Sequence, residues 1–194
     1  MSSQLLKALT IVLLCSLISG CAAVAVGGAA TGAAVAYDRR TTGTVMEDQA
    51  IEVKASRAFN ADTELSDDAH INVTSYNTKV LMAGEAPTEE LRDRAIEIVR
   101  NIPKVSRVYN EVIIASPSSF MSRSSDSMIT TKVKAALFGE AGIESTHVKV
   151  VTERGIVYLM GLLTAEEGER AVERTRRVGG VQKVVKLFET YEDS

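Results

Sequence analysis

Between residues 48 and 190 the chain states one pattern twice, and a duplicated pattern limits the fold to a unit that each copy can build. Residues 48–59 (DQAIEVKASRAF) answer residues 126–137 (DSMITTKVKAAL). Each stretch opens with Asp, a good helix N-cap, and then sets apolar residues at helical spacing: Ile51, Ala55 and Phe59, then Ile129, Val133 and Leu137. HINVTS (70–75) answers HVKVVT (147–152), and KVLMAGE (79–85) answers IVYLMGL (156–162); both pairs alternate as strands do, with a polar turn between them. A second helix follows, with Thr88 and Thr164 at N-cap positions and a capping box at Thr164 and Glu167. Its apolar stripe is Leu91, Ala95, Ile98 and Ile102 in one copy, and Ala171, Val172, Thr175 and Val178 in the other. VSRVYNEVII (105–114) then answers VQKVVKLFET (181–190) as a third strand.

The register drifts by two residues over the whole length, which points to duplication. The expected architecture is α+β: two tandem αββαβ units, each a small three-stranded mixed sheet with two helices. The first unit spans 45–114 and the second 126–194 with a short acidic tail; the segment between them, ASPSSFMSRSS (115–125), reads as a linker from its serines and proline. Phe120 and Met121 inside it are expected to dock on a domain. Two helices cover only one face of a three-stranded sheet, so the two copies are expected to pack on each other and partly cover their free faces. Gly84 and Gly161 occupy equivalent strand ends and are expected to be structural, placed where a strand bends or another backbone comes close.

Ahead of the repeat, residues 1–20 carry one Lys, no acid and an eleven-residue run (ALTIVLLCSLI, 8–18) that is apolar apart from Thr10 and Ser16, too short to span a bilayer. This is the h-region of a secretory signal. Its end, Ile18-Ser19-Gly20-Cys21, resembles the lipobox of bacterial lipoproteins. The resemblance implies that Cys21 is acylated and becomes the first residue of the mature chain, and that Ala22 after it permits passage to the periplasmic face of a Gram-negative outer membrane. An ordinary cleaved signal with an incidental cysteine is the alternative. Residues 21–44 are read as the acylated cysteine and an Ala/Gly-rich tether, whose apolar part is too short for a membrane helix. Cys15 leaves with the signal, so the mature chain has no second cysteine for an internal disulfide.

An Asp-led first helix, a hairpin whose second strand ends in a small residue and Gly, and a crossover helix together resemble the BON domain. Stretches such as INVTSYNTKVLMAGE, YNEV and MITTKVKAAL, twice over behind a lipobox, are similar to dual-BON outer-membrane lipoproteins. That resemblance implies a non-enzymatic protein that binds anionic phospholipid such as phosphatidylglycerol, gathers at division sites and preserves the outer-membrane barrier. It also implies that the first helix of the second domain carries the lipid contact, over Met128, Ile129, Lys132 and Ala135. By helical geometry Ile129 points inward, whereas Met128, Lys132 and Ala135 fall on an outer flank.

Charge supports the same half of the chain. Residues 45–114 hold 13 acids and 8 bases, net −5, whereas residues 126–188 hold 8 acids and 10 bases, net +2. The second copy is the better match for phosphate headgroups, although its later helix interleaves Arg170, Arg174, Arg176 and Arg177 with glutamates and is expected to neutralise itself. A mildly acidic mature chain is not an obvious nucleic-acid binder. No nucleophile elbow, phosphate-binding loop or zinc spacing is present, and His70 and His147 occupy equivalent positions that suggest a shared structural role. No enzyme, cofactor or metal is expected. The rival reading is a protein-interaction adaptor for envelope assembly machinery, using the exposed strand edges of a small unit.

Overall fold

The computed structural model describes residues 38–192. The expected signal peptide, the expected lipidation site Cys21 and nearly all of the segment read as tether lie outside the described residues. The compact unit that begins at Arg39 holds both repeats.

In the first copy, helix α1 (Thr42–Ala61) and a short helix α2 (Thr63–Asp68) precede strands β1 (His70–Tyr76) and β2 (Lys79–Ala86), helix α3 (Glu89–Arg100) and strand β3 (Arg107–Ile114). The second copy repeats this as helix α4 (Phe120–Phe138), strands β4 (Val148–Glu153) and β5 (Ile156–Leu163), helix α5 (Ala165–Arg176) and strand β6 (Lys183–Thr190). A single 3₁₀ turn (Ser145–His147) stands where the first copy has α2. In each sheet the middle strand pairs antiparallel with the first and parallel with the third, giving the orders β1-β2-β3 and β4-β5-β6. The parallel pair is closed by the crossover helices α3 and α5, as a parallel connection requires. These helices start at Thr88, which accepts from the Leu91 amide at 3.2 Å, and at Thr164, whose capping box with Glu167 is formed.

Two expectations are corrected. Asp48 and Asp126 are not N-caps: α1 is capped by Thr41 and α4 by Ser119, so each Asp lies more than one turn inside its helix and is buried. Its carboxylate instead holds the tip of the adjacent hairpin. Asp48 accepts from the Asn77 and Thr78 amides at 2.8 Å each, and Asp126 from those of Arg154 and Gly155 at 2.9 and 2.8 Å. All four turn residues have positive φ, the two-residue geometry whose twist matches a hairpin. The second correction concerns the linker. Helix α4 begins at Phe120 and runs through the serine-rich stretch, leaving 115–119 as the connection; likewise α1 begins at Thr42, inside the segment read as tether. A short serine-rich run was a weaker signal than the inward-facing Asp126, Ile129, Val133 and Leu137, which fix the helix against its sheet.

Each domain has its own core between helices and sheet, with Ile51, Val80, Met82, Ala95 and Val99 central in the first and Val133, Leu137, Val157, Leu159 and Ala171 in the second. The opposite sheet faces meet. Tyr76, Leu81 and Ala83 of one domain pack against Tyr158 and Met160 of the other, flanked by Tyr109, Val151, Ile156, Leu162, Val185 and Leu187. At roughly 25 cal/mol per Å² of apolar surface, such a seam adds materially to two units too small to be stable by wide margins.

The glycines expected at strand ends have steric causes. A Cβ on Gly84 would sit 2.0 Å from the His70 carbonyl oxygen, and one on Gly161 2.5 Å from that of His147. Gly84 also has φ +127°, a region that side chains avoid.

Candidate functional site

Helix α4 is nineteen residues long, about 28 Å at 1.5 Å per residue. Its inward stripe is spent on the core. At 100° per residue, Phe120, Met121, Met128, Ala135 and Phe138 share an arc of about 100° on the opposite side. All five are exposed, Phe120, Met121 and Phe138 at 79%, 78% and 81% and Met128 at 59%. Lys132 and Lys134, both exposed, lie along the two borders of that arc. The helix has one acidic residue, Asp126, which faces inward to the hairpin turn. A largely apolar face, with Ser124 and Thr131 also within its arc, bordered by cations and without an outward anion, is what results.

The first copy makes the contrast. Positions equivalent to Phe120, Met121, Met128, Ala135 and Phe138 hold Thr42, Gly43, Ala50, Arg57 and Asn60 in α1. Two helices with the same inward stripe thus differ on the outward face, where folding makes little demand. No helix among the described residues is long and apolar enough to cross a membrane. A helix of this kind suits lying at an interface with its apolar side down.

The structure therefore sorts the residues expected from sequence. Met128, Lys132 and Ala135 are on the exposed face. Ile129 is 6% exposed and belongs to the second domain's core, so it holds the helix in place and offers nothing to a surface partner. Phe120 and Met121, expected to dock on a domain, instead stand in solvent on the first turn of α4. Phe138 was missed. Its signal was available, since it lies five turns along the helix from Phe120 and on the same side. On α5 the arginines are largely answered by acids, Arg174 by Glu140 at 3.2 Å, Arg176 by Glu173 at 2.8 Å and Arg170 by Glu166. That face is a self-neutralised surface.

Polar contacts cluster at the two ends of the inter-domain seam. At one end Arg39 forks onto Glu167 at 2.6 and 3.0 Å, donates to the Leu162 carbonyl and stacks on Tyr191, all in the second domain. Its neighbour Arg40 turns to the first domain, 2.8 Å from Asp48 and over the Tyr76 ring. Glu189 there takes Lys79 and the Asn77 amide group. The Glu167 carboxyl would be raised by burial, but the Arg39 fork and the Thr164 amide outweigh this and leave it below the usual range. At the other end lie Glu85 and Glu153, both buried. His70 at that end is held below its ordinary value, first by burial and then by the Arg123 charge. Among the described residues no three His, Cys, Asp or Glu side chains gather as a metal site.

Comparison with known proteins agrees with this architecture. The BON domain model matches residues 47–116 and again 125–190. The chain belongs to the BON domain family. It is 36% identical over 171 residues to the outer membrane lipoprotein DolP of Haemophilus influenzae, spanning 88% of this chain and 89% of that one. It is also 36% identical over 151 residues to the 21 kDa hemolysin of Actinobacillus pleuropneumoniae (78% of each), and 26% identical over 186 residues to the osmotically-inducible protein Y of Escherichia coli (92% of each). This is a DolP-like dual-BON protein of the Gram-negative outer-membrane envelope, and the family and these relatives point to a non-catalytic role.

Proposed function

We propose that the protein is anchored through acylated Cys21 and presents the outward face of α4 to anionic phospholipid such as phosphatidylglycerol, helping to maintain the outer-membrane barrier at sites that include the division plane. The observation that carries this reading is the exposed ridge of Phe120, Met121, Met128 and Phe138 between Lys132 and Lys134, present in the second domain and missing from the first. Burying a Phe or Met side chain contributes roughly 1.5–3 kcal/mol, and a lysine close to an anionic surface about 1 kcal/mol. Several such contacts, added to acyl chains that already hold the chain at the bilayer, suffice for a shallow and reversible contact. The first domain then acts as the partner that covers the second domain's free sheet face.

The test is vesicle co-sedimentation of a soluble fragment beginning at Asp38, which keeps Arg39 and Arg40 and so the seam. Binding to phosphatidylglycerol vesicles in excess of zwitterionic ones, falling with salt, is the expected result; equal affinity for both would overturn the reading. A second reading, an adaptor for an envelope protein, is favoured by one feature. A groove of about 600 Å³ runs beside strand β1, between α1 and α2, with Val53, Phe59 and Leu65 among its walls. Stoichiometric capture of one protein partner by the same fragment, without lipid preference, would favour it.

A further inference from the structure

The repeat exchanges the two ends of the seam, and they differ in one respect. Tyr76 and Leu162 stand at one end; their repeat equivalents at the other are Glu153 and Glu85. Tyr76 reaches the His147 carbonyl at 3.3 Å, and Glu153 correspondingly reaches Asn72, two residues from His70. Tyr76 and Leu162 share the apolar seam at one end. At the other, two carboxylates take their places on strands of different domains, near enough for the Glu85 charge to act on Glu153, whose neighbour Arg154 reaches Glu85 at 3.4 Å.

Both carboxylates are withdrawn from water, Glu85 at 0% and Glu153 at 6% exposure. Among the described residues neither has a close, dry cation. Arg154 approaches Glu85 at 3.4 Å but is itself about half exposed, and Glu85 also accepts from the Ser118 amide at 3.3 Å. The charged and titratable groups around the pair come from every element packed there. They are His70 on β1, Glu85 on β2, Arg123 and Asp126 on α4, and Arg154 after Glu153 on the β4–β5 hairpin. Tyr158 on β5, paired with Glu111 of β3, adds a phenol that burial keeps neutral. Two buried anions facing each other across an interface repel strongly in a medium of low dielectric, unless one carries a proton.

We propose that the Glu85–Glu153 end of the seam is a proton-operated latch between the two domains, closed when Glu153 is protonated and loosened when both carboxylates are ionised. The direction follows from the carboxyl itself. Burial pushes Glu153 up to about 7 from 4.5, with the charges of Glu85 and Asp126 adding to the rise and the Asn72 hydrogen bond and Arg123 opposing it. A group raised in the closed state contributes stability that is complete below its open-state value and is lost as pH rises through the closed-state one. The latch therefore holds in mild acid and weakens toward neutrality. It also reaches α4. Glu85 holds the amide of Ser118, the residue before the cap of that helix, so loosening frees the root of the segment that carries Phe120 and Met121.

The experiment uses the full-length acylated protein in detergent micelles. Carboxyl-carbon NMR follows Glu153 between about pH 4 and 9, and amide hydrogen exchange, corrected for intrinsic rates, is compared at about pH 5.5 and 8. The Glu153 carboxyl is expected to titrate near 7. Exchange over residues 70–75, 115–119 and 148–156 should rise about tenfold or more at the higher pH, since each pKa unit is a factor of ten. Residues 91–99, inside the first core, should not follow. Glu153→Gln should remain protected at both pH values, whereas Glu189→Gln, at the opposite end, should keep the wild-type response. A Glu153 midpoint near 4.5, or wild-type exchange at pH 8 in Glu153→Gln, would overturn the latch. Should that variant fail to fold, the carboxyl titration of the unsubstituted chain decides alone.

Discussion

Asp48 shows how much one side chain settles in a small domain. Its two oxygens take the Asn77 and Thr78 amides, the Ser75 hydroxyl at 2.6 Å and the Arg40 guanidinium, tying α1, the hairpin and the residues ahead of α1 together. The turn needs this support, because Thr78 is β-branched at φ 63°, a costly place for such a residue. Asp48→Ala leaves those donors and Arg40 without their buried acceptor, and should cost roughly 3–5 kcal/mol, read from urea unfolding of the soluble fragment. Gly84→Ala and Gly161→Ala should both destabilise, with the first the more severe. It adds positive-φ strain to the shorter approach, and a loss beyond about 4 kcal/mol in thermal or urea melts is expected there.

At the level of elements, α1 and α4 have matching inward stripes and unlike outward faces. Folding needs only the first, so the second is open to change without loss of the domain. Phe120→Ser with Phe138→Ser should reduce vesicle binding about tenfold or more while leaving the melting temperature within a few degrees, since both side chains stand in water in the free protein. Met128→Glu should act likewise by setting an anion between Lys132 and the lipid phosphates. Ile129→Ser should instead unfold the second domain, because that side chain is in the core. A surface role for Ile129 would appear as lost binding at full stability.

For the whole molecule, the two ends of the seam should respond to pH in opposite senses. The Glu167 carboxyl is held low, so the Arg39 contact contributes above the ordinary carboxylate range and is lost as pH falls through that depressed value. Glu153 is raised, so its end weakens as pH rises toward 7. Domain pairing should therefore be firmest in mild acid, below the Glu153 value and above that of Glu167. Arg39→Ala with Arg40→Ala should lower thermal stability at every pH above the acid limb, measurable by differential scanning calorimetry. It should leave the slope near neutrality intact, because that slope belongs to the other end.

The elements and their duplication are legible in the amino-acid order alone. Strand alternation, the spacing of Ile51, Ala55 and Phe59, the Thr164 box and the paired Gly84 and Gly161 are local signals, and local signals survive reading one residue at a time. The amino-acid order also pointed to the second copy through charge. What stayed hidden was whatever depends on residues distant in the chain. Asp48 looks like a cap until the hairpin tip folds back onto it, and Phe120 looks like a docking side chain until its helix turns it outward. The burial of Glu85 and Glu153 at one end of the seam, and the straddling of both domains by Arg39 and Arg40, arise only when two sheets close face to face. Short-range periodicity chooses helix or strand, whereas burial and electrostatic environment are set by which surfaces come together in space.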